Sequence, residues 1–355
     1  SRSELFESQF LFGRLHFTWN KKKIMTTLLT GGAGFIGSHM SALLLEHEHD
    51  FVVVDNLANS DVSQIKKLEK FFKRKIPFHK IDIRDKSSME IIFDTNEIES
   101  VIHFAGLKAV NESVNEPKLY HDNNVIGSEC LIDLVCKYDV KKFIFSSSAT
   151  VYGEPKYLPI DEEHPLNAMS PYGQNKIDIE NLILDNHFFD TRCCTKILRY
   201  FNPVGAYKHG LIGEIPKGIT NNLMPYLLGV VNGTYPHLQV FGDDYNTNDG
   251  TPIRDYIHVM DLVEAHLIAL QDNKLGIDIY NVGNGKGVSV MEMIKAFEKV
   301  NKIEVPYKIM PRRAGDVESC YANNKKIGEV LNWKAKHNIS DICKDAYLFS
   351  QQLNK

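Results

Sequence analysis

The chain has 355 residues, of which 43% are hydrophobic and 24% charged, and its formal net charge at pH 7 is −4. These values indicate a globular protein of one large or two fused domains, without the basic surface that nucleic-acid binding requires. No apolar run approaches the ~18–20 residues of a membrane span, and the six cysteines show no disulfide or metal-site spacing, so we expect a cytoplasmic protein with reduced thiols and no metal.

The first 24 residues differ from the rest of the chain. They contain Glu4 and Glu7 and lack the continuous apolar segment of a signal peptide. Arg2 and Arg14 leave a targeting presequence as an alternative. Because strand-like sequence begins directly after Met25, we interpret residues 1–24 as an N-terminal extension.

The first half of the chain alternates short apolar runs with segments of helical spacing. Helices are predicted over about 36–45, from an N-cap at Asp61 onward, and over about 117–135. The predicted strands are 27–30, 51–54, 78–81, 101–104, 143–145 and 196–200. Their continuous apolar character suits strands buried on both faces, so the pattern predicts an α/β fold with a doubly wound parallel sheet.

A glycine-rich turn follows the first predicted strand and opens the first helix. Gly31, Gly34 and Gly37 form the pattern G-x-x-G-x-x-G. The first glycine permits a tight turn, the second lets the backbone approach a pyrophosphate, and the third allows close packing of helix and sheet. Since the free N–H groups of a helix N-terminus attract phosphate, this turn predicts a dinucleotide site.

The next two predicted strands end in acidic residues. Asp55 follows the second strand, where a carboxylate can accept hydrogen bonds from both adenosine ribose hydroxyls and would repel a 2′-phosphate. The cofactor predicted is therefore NAD and not NADP. Asp82 and Ile83, at the end of the third strand, are expected to meet the adenine.

A tyrosine and a lysine with helical spacing follow the fifth predicted strand. Tyr172 and Lys176 would share one helix face, and an ammonium beside a phenol favours the phenolate over its usual pKa of ~10. The fifth strand runs into Ser146, Ser147 and Ser148, at the strand end where ligands gather in such sheets. A serine there can hold a substrate oxygen between itself and the tyrosine, whereas Ser147 is expected only to cap a loop.

The character of the sequence changes after about residue 201. Glycine, proline and turn dipeptides such as Asp249-Gly250 become frequent, and candidate strands become shorter. We therefore predict a first domain over 25–201 and a smaller second domain over 202–350, with the chain crossing between them more than once.

Together these motifs resemble the extended short-chain dehydrogenase/reductase superfamily and, more narrowly, its UDP-glucose 4-epimerases. The resemblance covers about residues 25–345 and implies a Rossmann-type sheet with a smaller mixed α/β C-terminal substrate domain. Further matching segments are Asp55-Asn56-Leu57, Phe104-Ala105-Gly106-Leu107-Lys108-Ala109-Val110, Arg199-Tyr200-Phe201-Asn202-Pro203, Asn221-Asn222-Leu223-Met224-Pro225-Tyr226, Arg254-Asp255-Tyr256-Ile257-His258-Val259 and Arg312-Arg313-Ala314-Gly315-Asp316.

The resemblance also implies residue roles. Tyr172 would be the general base and acid, Lys176 its pKa-lowering partner and a ligand of the nicotinamide ribose, and Ser148 a hydrogen-bonding partner of the C4 oxygen. Motifs and resemblance together place at the cofactor, besides Tyr172 and Lys176, Gly31, Gly34, Phe35, Ile36, Gly37, Asp55, Asn56, Leu57, Asn59, Ser60, Asp82, Ile83, Phe104, Ala105, Gly106, Lys108, Asn123 and Phe201. The implied ligands of the UDP-hexose, besides Ser148 and Tyr172, are Asn202, Asn222 and Leu223 for the nucleotide sugar, Gln239 and Phe241 for the uracil, Arg254 and Arg313 for the diphosphate, Asp316 for the uridine ribose and Cys320 near the sugar.

The implied reaction is reversible inversion at C4 of UDP-glucose and UDP-galactose through transient oxidation by bound NAD, in a homodimer. Related dehydratases and decarboxylases carry an acidic residue after the equivalent serine or threonine, whereas Ala149 and Thr150 stand here and provide no usable acid or base. A 4-epimerase of a UDP-pentose or UDP-uronate and a dehydratase remain alternatives. A non-catalytic NAD-binding regulator is a further alternative, although such a protein should have lost Ser148, Tyr172 or Lys176.

Cys320 stands where some members of the resembling family carry a tyrosine and others a small residue. A cysteine would leave room beside the C2 substituent of the sugar, which predicts that UDP-GlcNAc and UDP-GalNAc are also accepted. The alternative is a buried cysteine without this breadth of specificity.

Overall fold

The structure is a computed structural model that describes residues 26–217, 222–313 and 315–353. The predicted extension over 1–24 lies outside the described residues, as do Met25, Asn221 and Ala314. The strands are β1 (Thr26–Thr30), β2 (Phe51–Asp55), β3 (Phe78–Lys80), β4 (Ile98–His103), β5 (Lys142–Ser148), β6 (Cys194–Tyr200), β7 (Asn202–Val204), β8 (Leu238–Phe241), β9 (Ile253–His258), β10 (Gly276–Val282), β11 (Gly287–Ser289), β12 (Tyr307–Met310) and β13 (Ser319–Cys320). The helices are α1 (Phe35–Glu46), α2 (Ser63–Phe72), α3 (Lys86–Thr95), α4 (Val110–Asn115), α5 (Pro117–Tyr120), α6 (Gly127–Lys137), α7 (Pro171–Leu184), α8 (His187–Thr191), α9 (Leu223–Val231), α10 (Val259–Gln271), α11 (Val290–Asn301), α12 (Lys325–Leu331) and α13 (Ile339–Leu353).

Seven of the described strands form one parallel sheet, in the order β10-β6-β5-β4-β1-β2-β3. Neighbouring residues of its strands pack on opposite faces, as Leu28 and Leu29 show by belonging to two different apolar clusters. Helices α1, α2 and α10 cover the face of Leu29, and α3, α6 and α7 cover the face of Leu28. This architecture confirms the predicted doubly wound parallel sheet of Rossmann type.

The strands predicted from the sequence are all present, but β10 was missed. It pairs with β6 in register from Gly276 opposite Cys194 to Val282 opposite Tyr200. Because β10 is an edge strand, its first half is only partly buried, and its sequence therefore lacks the continuous apolar run that marks the inner strands. The sheet thus takes a strand from beyond residue 201, so the chain returns to it after the predicted domain boundary.

Two predicted helices differ from the expectation. Helix α2 begins at Ser63 with Val62 at the N-cap position, so the predicted N-cap at Asp61 is wrong. The Asp61 carboxylate accepts the Ser63 N–H at 2.6 Å from a loop position just before the helix. The helix predicted over 117–135 is helical throughout, but a π-helical segment, His121–Ile126, interrupts it between α5 and α6.

The second half of the chain adds two small sheets. β9 is flanked by β11 and β13 and also pairs with β7, while β8 pairs with β12. Asp255 on β9 is fully buried, and its carboxylate accepts the backbone N–H groups of Ala322, Asn284 and Gly285. It therefore ties two segments, the turn at Asn284 and Gly285 and the chain at Ala322, to β9 beside Arg254. None of the helices in the described part of the chain has the length and apolar character needed to cross a membrane.

Candidate active site

The glycine-rich turn between β1 and α1 is closed so tightly that side chains would not fit. Gly31 has a φ of +70°, and a Cβ there would lie 2.6 Å from the backbone nitrogen of Ala105. A Cβ at Gly37 would lie 2.4 Å from the carbonyl oxygen of Gly31. Gly34 is the N-cap of α1, followed by Phe35 and Ile36 as its first residues, so the helix N-terminus faces the turn without a capping side chain. This bare backbone cradle fits the pyrophosphate of a dinucleotide.

Asp55 lies at the end of β2, is nearly buried, and accepts three hydrogen bonds from the protein. One carboxylate oxygen accepts the Ala33 N–H at 3.0 Å, and the other accepts the Leu57 N–H at 2.8 Å and the Ser60 hydroxyl at 2.7 Å. A carboxylate offers about four acceptor positions. Asp55 therefore orients the glycine turn and retains capacity for about one further donor, whereas contact with both ribose hydroxyls stays a prediction.

We expect Asp55→Asn to weaken NAD binding about 10–100-fold. The amide accepts fewer hydrogen bonds than the carboxylate, and its NH₂ group would face the N–H and O–H donors that Asp55 now accepts. Such an unsatisfied buried contact costs about 1–3 kcal/mol. Asp61→Asn, in an exposed carboxylate of the same loop, is the matched control. The measurement is the NAD content of the purified protein, followed by titration of the stripped protein with NAD. Equal affinity in both variants would contradict the role of Asp55.

The residues after β3 are partly engaged in other contacts. Asp82 accepts the Asn56 amide at 2.9 Å and forms an ion pair with Arg84 at 2.8 Å, and this guanidinium holds the pKa of Asp82 well below its usual range. The side chain of Ile83 is buried in the core under Gly127. A contact of Ile83 with adenine, which stays a prediction, would therefore involve its backbone.

The loop after β4 passes directly beside the glycine turn. It contains Phe104, Ala105, Gly106 and Lys108, and the amide of Asn59 reaches across to the Gly106 carbonyl oxygen at 3.4 Å. The Lys108 ammonium forms an ion pair with Glu214 at 2.9 Å. The structure thus brings these five predicted cofactor residues to one side of the cradle, although it does not test their contacts with NAD.

Asn124 holds the loop after β4 in place, and the sequence analysis did not identify it. Its side chain accepts the N–H of Leu107 at 2.8 Å and donates to the Leu107 carbonyl oxygen at 3.0 Å. Asn124 is buried in the π-helical segment, next to the half-buried Asn123 that was predicted at the cofactor. π-helical segments occur frequently at functional sites, but the sequence carries no signal for this one.

Ser148, Tyr172 and Lys176 meet at the carboxyl end of β5. Helix α7 starts with Ser170 as N-cap, whose hydroxyl accepts the Gly173 N–H at 3.1 Å, and this cap fixes Tyr172 in the first turn. One turn later, the buried Lys176 ammonium donates to the Ser146 carbonyl oxygen at 2.7 Å and lies 5.8 Å from the centre of the Tyr172 ring. The predicted helix face and the predicted strand end are therefore in contact.

Burial has the largest effect on the pKa values of both Tyr172 and Lys176. It raises the pKa of Tyr172 to about 12, and a hydrogen bond with Ser148 acts in the opposite direction. It lowers the pKa of Lys176 to about 8, and the charge of Glu180 acts in the opposite direction. The polypeptide alone thus keeps the phenol protonated at neutral pH, so the pKa-lowering role predicted for Lys176 requires further positive charge beside Tyr172.

A buried ion pair supports this site from behind. Arg199 on β6 binds Glu180 on α7 at 2.6 Å, and their side chains are 3% and 1% exposed. Ser147 donates its hydroxyl proton to Glu180 at 2.5 Å, and Arg199 also donates to the Tyr152 hydroxyl at 3.0 Å. Ser147 was expected only to cap a loop. That prediction is wrong, because the hydroxyl instead joins β5 to the ion pair.

The second half of the chain brings Arg254, Arg313 and Asp316 together. Arg313 donates to Asp316 at 2.8 Å, Arg254 lies 3.6 Å from the other carboxylate oxygen, and the Arg313 guanidinium stands 4.7 Å from the centre of the Phe241 ring. Cys320 on β13 pairs with Arg254 on β9. A guanidinium pair of this kind matches the geometry of phosphate oxygens.

The remaining predicted substrate residues lie on separate elements. Gln239 and Phe241 share the partly exposed face of β8, while its other face is buried. Asn202 begins β7 and is exposed, and Asn222 and Leu223 stand at the N-terminus of α9. Phe201, predicted at the cofactor, is buried against Tyr152 and Ala322. Over the described residues, His, Cys, Asp and Glu side chains form no cluster of three or more that could hold a metal ion.

Comparisons with known proteins find relatives that cover most of the chain. A family model described as GDP-mannose 4,6 dehydratase matches residues 28–346. The UDP-glucose 4-epimerase of Cyamopsis tetragonoloba is 49% identical over 328 residues, which cover 91% of this chain and 94% of the relative. A UDP-glucose 4-epimerase from Stenotrophomonas maltophila, crystallised with NAD and formylated UDP-arabinopyranose, superposes with a TM-score of 0.90 at 42% identity, covering 93% of this chain and 99% of that one. The enzyme of the same name from Bifidobacterium longum, crystallised with NAD+ and UDP, gives a TM-score of 0.88 at 46% identity over 92% of this chain and 98% of that one.

Proposed function

Because this chain belongs to the UDP-glucose 4-epimerase family, we propose that it interconverts UDP-glucose and UDP-galactose by inverting C4, with NAD as its resident cofactor. The observation that supports this most strongly is the meeting of Ser148, Tyr172 and Lys176 at the end of β5. These groups stand at the carboxyl edge of the sheet that also carries the glycine cradle, where ligands bind in open α/β sheets.

Proton transfer in this reaction is assigned to Tyr172. NAD held at the glycine turn and Asp55 would supply a reversible hydride acceptor for C4 of the sugar, and its positive charge would be the further charge that Tyr172 needs. The Tyr172 phenolate takes the proton of the C4 hydroxyl as the C4–H bond breaks, and it returns that proton to the C4 oxygen at the end. Ser148 hydrogen-bonds the same oxygen. Because the hydride and the proton are both returned to the sugar, substrate and product are isomers and the reaction needs no net oxidant.

The diphosphate is assigned to the two arginines. Arg254 and Arg313 share the single carboxylate of Asp316, so the cluster keeps one net positive charge for a phosphate. Binding through the UDP part leaves the sugar free to present either face at C4. We therefore propose that the protein binds the substrate mainly through the nucleotide, while the sugar can rotate within its pocket.

The experiment that tests this proposal is incubation of the purified protein with UDP-galactose, without added NAD, followed by assay of UDP-glucose. We expect conversion without net oxidation, since the cofactor leaves each turnover unchanged. Formation of a stable 4-keto-6-deoxy sugar would identify a dehydratase instead, as the description of the matching family model allows. Release of CO2, or no conversion even with added NAD, would also overturn the proposal.

A UDP-pentose is the second candidate substrate, because the Stenotrophomonas relative was crystallised with a UDP-arabinopyranose derivative. A pentose lacks the C6 group and needs no additional space. UDP-xylose and UDP-galactose assayed side by side distinguish the two, and we expect UDP-galactose to give the higher kcat/KM.

We also propose that UDP-GlcNAc and UDP-GalNAc are accepted, because Cys320 is small and lies opposite Arg254, one of the two arginines assigned to the diphosphate. Burial raises the pKa of the Cys320 thiol to about 11, so the side chain is neutral at pH 7 and would present an uncharged group to the sugar. We expect Cys320→Tyr to lower kcat/KM for UDP-GlcNAc at least about tenfold and that for UDP-glucose much less, because a large side chain fills the space for the acetamido group.

The control for this prediction is Cys320→Ser, which conserves the volume of the side chain and should conserve both activities. The measurement is the kcat/KM of each variant with both substrates. A wild-type enzyme that forms no UDP-GalNAc from UDP-GlcNAc would contradict the proposed breadth of specificity.

We further propose a homodimer formed through α5 and α7. Leu119 on α5, Met169 before α7 and Leu184 on α7 are apolar and 45%, 52% and 43% exposed, which suits a face covered by a second copy. Light scattering should give twice the chain mass, and Leu184→Arg should reduce the measured mass.

The cysteines are free, which agrees with a reducing compartment. We therefore propose that the protein is located in the cytoplasm.

A further inference from the structure

The hydroxyl of Ser148 has its acceptor positions filled by one neighbour. The backbone N–H of Thr150 donates to the Ser148 oxygen at 3.2 Å, and the Thr150 hydroxyl donates to the same oxygen at 2.9 Å. A serine hydroxyl has two acceptor lone pairs and one proton. With both lone pairs occupied, the proton of Ser148 must point away from Thr150.

Thr150 is itself held in place by helix α7. A Cβ at Gly173 would lie 2.8 Å from the Thr150 carbonyl oxygen, so the helix approaches the turn after β5 as closely as a glycine permits. The turn is tied on its other side, where the Val151 carbonyl oxygen accepts the Asn167 N–H at 2.9 Å. Tyr172, which precedes Gly173, therefore keeps a fixed position relative to Thr150 and Ser148.

We propose that Thr150 is a positioning residue that makes the Ser148 hydroxyl act only as a donor, with its single proton aimed at the space shared by the Tyr172 oxygen and the C4 oxygen of the substrate. This inference rests on the proposed epimerase activity for its consequence in catalysis, but its geometric content concerns the protein alone. A donor aimed at Tyr172 favours the phenolate, which agrees with the direction in which Ser148 acts on the pKa of Tyr172. Without the Thr150 hydroxyl, the Ser148 proton could turn toward other acceptors, and the site would lose its fixed donor.

The test compares Thr150→Val, which keeps the branched shape and loses the hydroxyl, with Thr150→Ser, which retains it. We expect Thr150→Val to lower kcat about five- to tenfold, the range for one lost hydrogen bond, with KM nearly unchanged. The rising limb of its pH–kcat profile should move upward by about half a unit to one unit. Thr150→Ser should restore the wild-type profile, and Thr191→Val, at an exposed threonine that donates to a backbone carbonyl, should have no effect.

A double variant separates positioning from structural damage. In a Ser148→Ala background, Thr150→Val should cause less than about a twofold further loss, because the group that it orients is already absent. An equal loss in both backgrounds would overturn the proposal. Thr150→Ala serves as the second variant if the valine protein does not fold.

A measurement independent of activity covers the case in which the epimerase assignment fails. In holoenzyme labelled with ¹³C at the tyrosine hydroxyl carbon, the signal of residue 172 is identified by its loss in Tyr172→Phe. Its titration midpoint should be about half a unit to one unit higher in Thr150→Val than in the wild type. Equal midpoints would overturn the inference whether or not the protein converts UDP-galactose, while inactive wild-type protein with shifted midpoints would overturn the proposed function alone.

Discussion

Replacing Tyr172 with phenylalanine should lower kcat about 10²–10⁴-fold, because the site then loses the group that takes and returns the C4 hydroxyl proton. The phenyl ring keeps its packing beside Lys176, so NAD content and the melting temperature should remain close to the wild-type values. The measurement is the rate of UDP-galactose conversion at saturating substrate, together with NAD released on denaturation.

The matched control for this variant is Tyr157→Phe. Tyr157 is exposed, and its hydroxyl donates to Asp161 at 2.6 Å, so its loss also removes one side-chain hydrogen bond but lies at the surface. We expect wild-type kcat for this control. A Tyr172→Phe enzyme with more than about a tenth of the wild-type kcat would contradict the assignment of acid–base catalysis to this residue.

Replacing Arg199 with methionine should lower the free energy of unfolding by about 3–5 kcal/mol, because Glu180 is left as a buried charge without its partner. This loss of stability should exceed the loss caused by breaking an ion pair at the surface, because the side chains of Arg199 and Glu180 are almost inaccessible to solvent. Urea unfolding of the NAD-saturated protein measures the change.

The double variant Arg199→Met/Glu180→Met provides the control for this prediction. Removing both charges together takes away the desolvation cost as well as the attraction, so much of the lost stability should return. A single variant that costs less than about 1 kcal/mol, as surface pairs do, would show that the pair does not support β5, β6 and α7 as described.

The cofactor half of the site could be predicted from the sequence because its parts are local. The glycines at 31, 34 and 37 and Asp55 belong to one β-α-β unit, so their spacing along the chain fixes their spacing in the fold. The spacing did not predict that the Asp55 carboxylate already accepts three hydrogen bonds from the protein.

The substrate half could be assigned only through resemblance. Arg254, Arg313 and Asp316 come from different loops and strands, and each arginine alone would be more typical of a surface ion pair. Strand β10 was missed because an edge strand lacks the apolar run of an inner one. In the sequence, Thr150 stands out only because related dehydratases carry an acidic residue in this region. Its hydrogen bond to Ser148 depends on the path of the turn after β5, and no sequence pattern predicts that path.

The central claim is that the hydrogen on C4 is removed and returned within one site, while Tyr172 handles only the hydroxyl proton. UDP-galactose deuterated at C4 tests this directly when it is incubated with the holoenzyme in ordinary water. We predict UDP-glucose that retains the deuterium at C4, because that atom never passes through a group that exchanges with solvent. UDP-glucose with ordinary hydrogen at C4 would mean that the atom leaves as a proton, which contradicts the account.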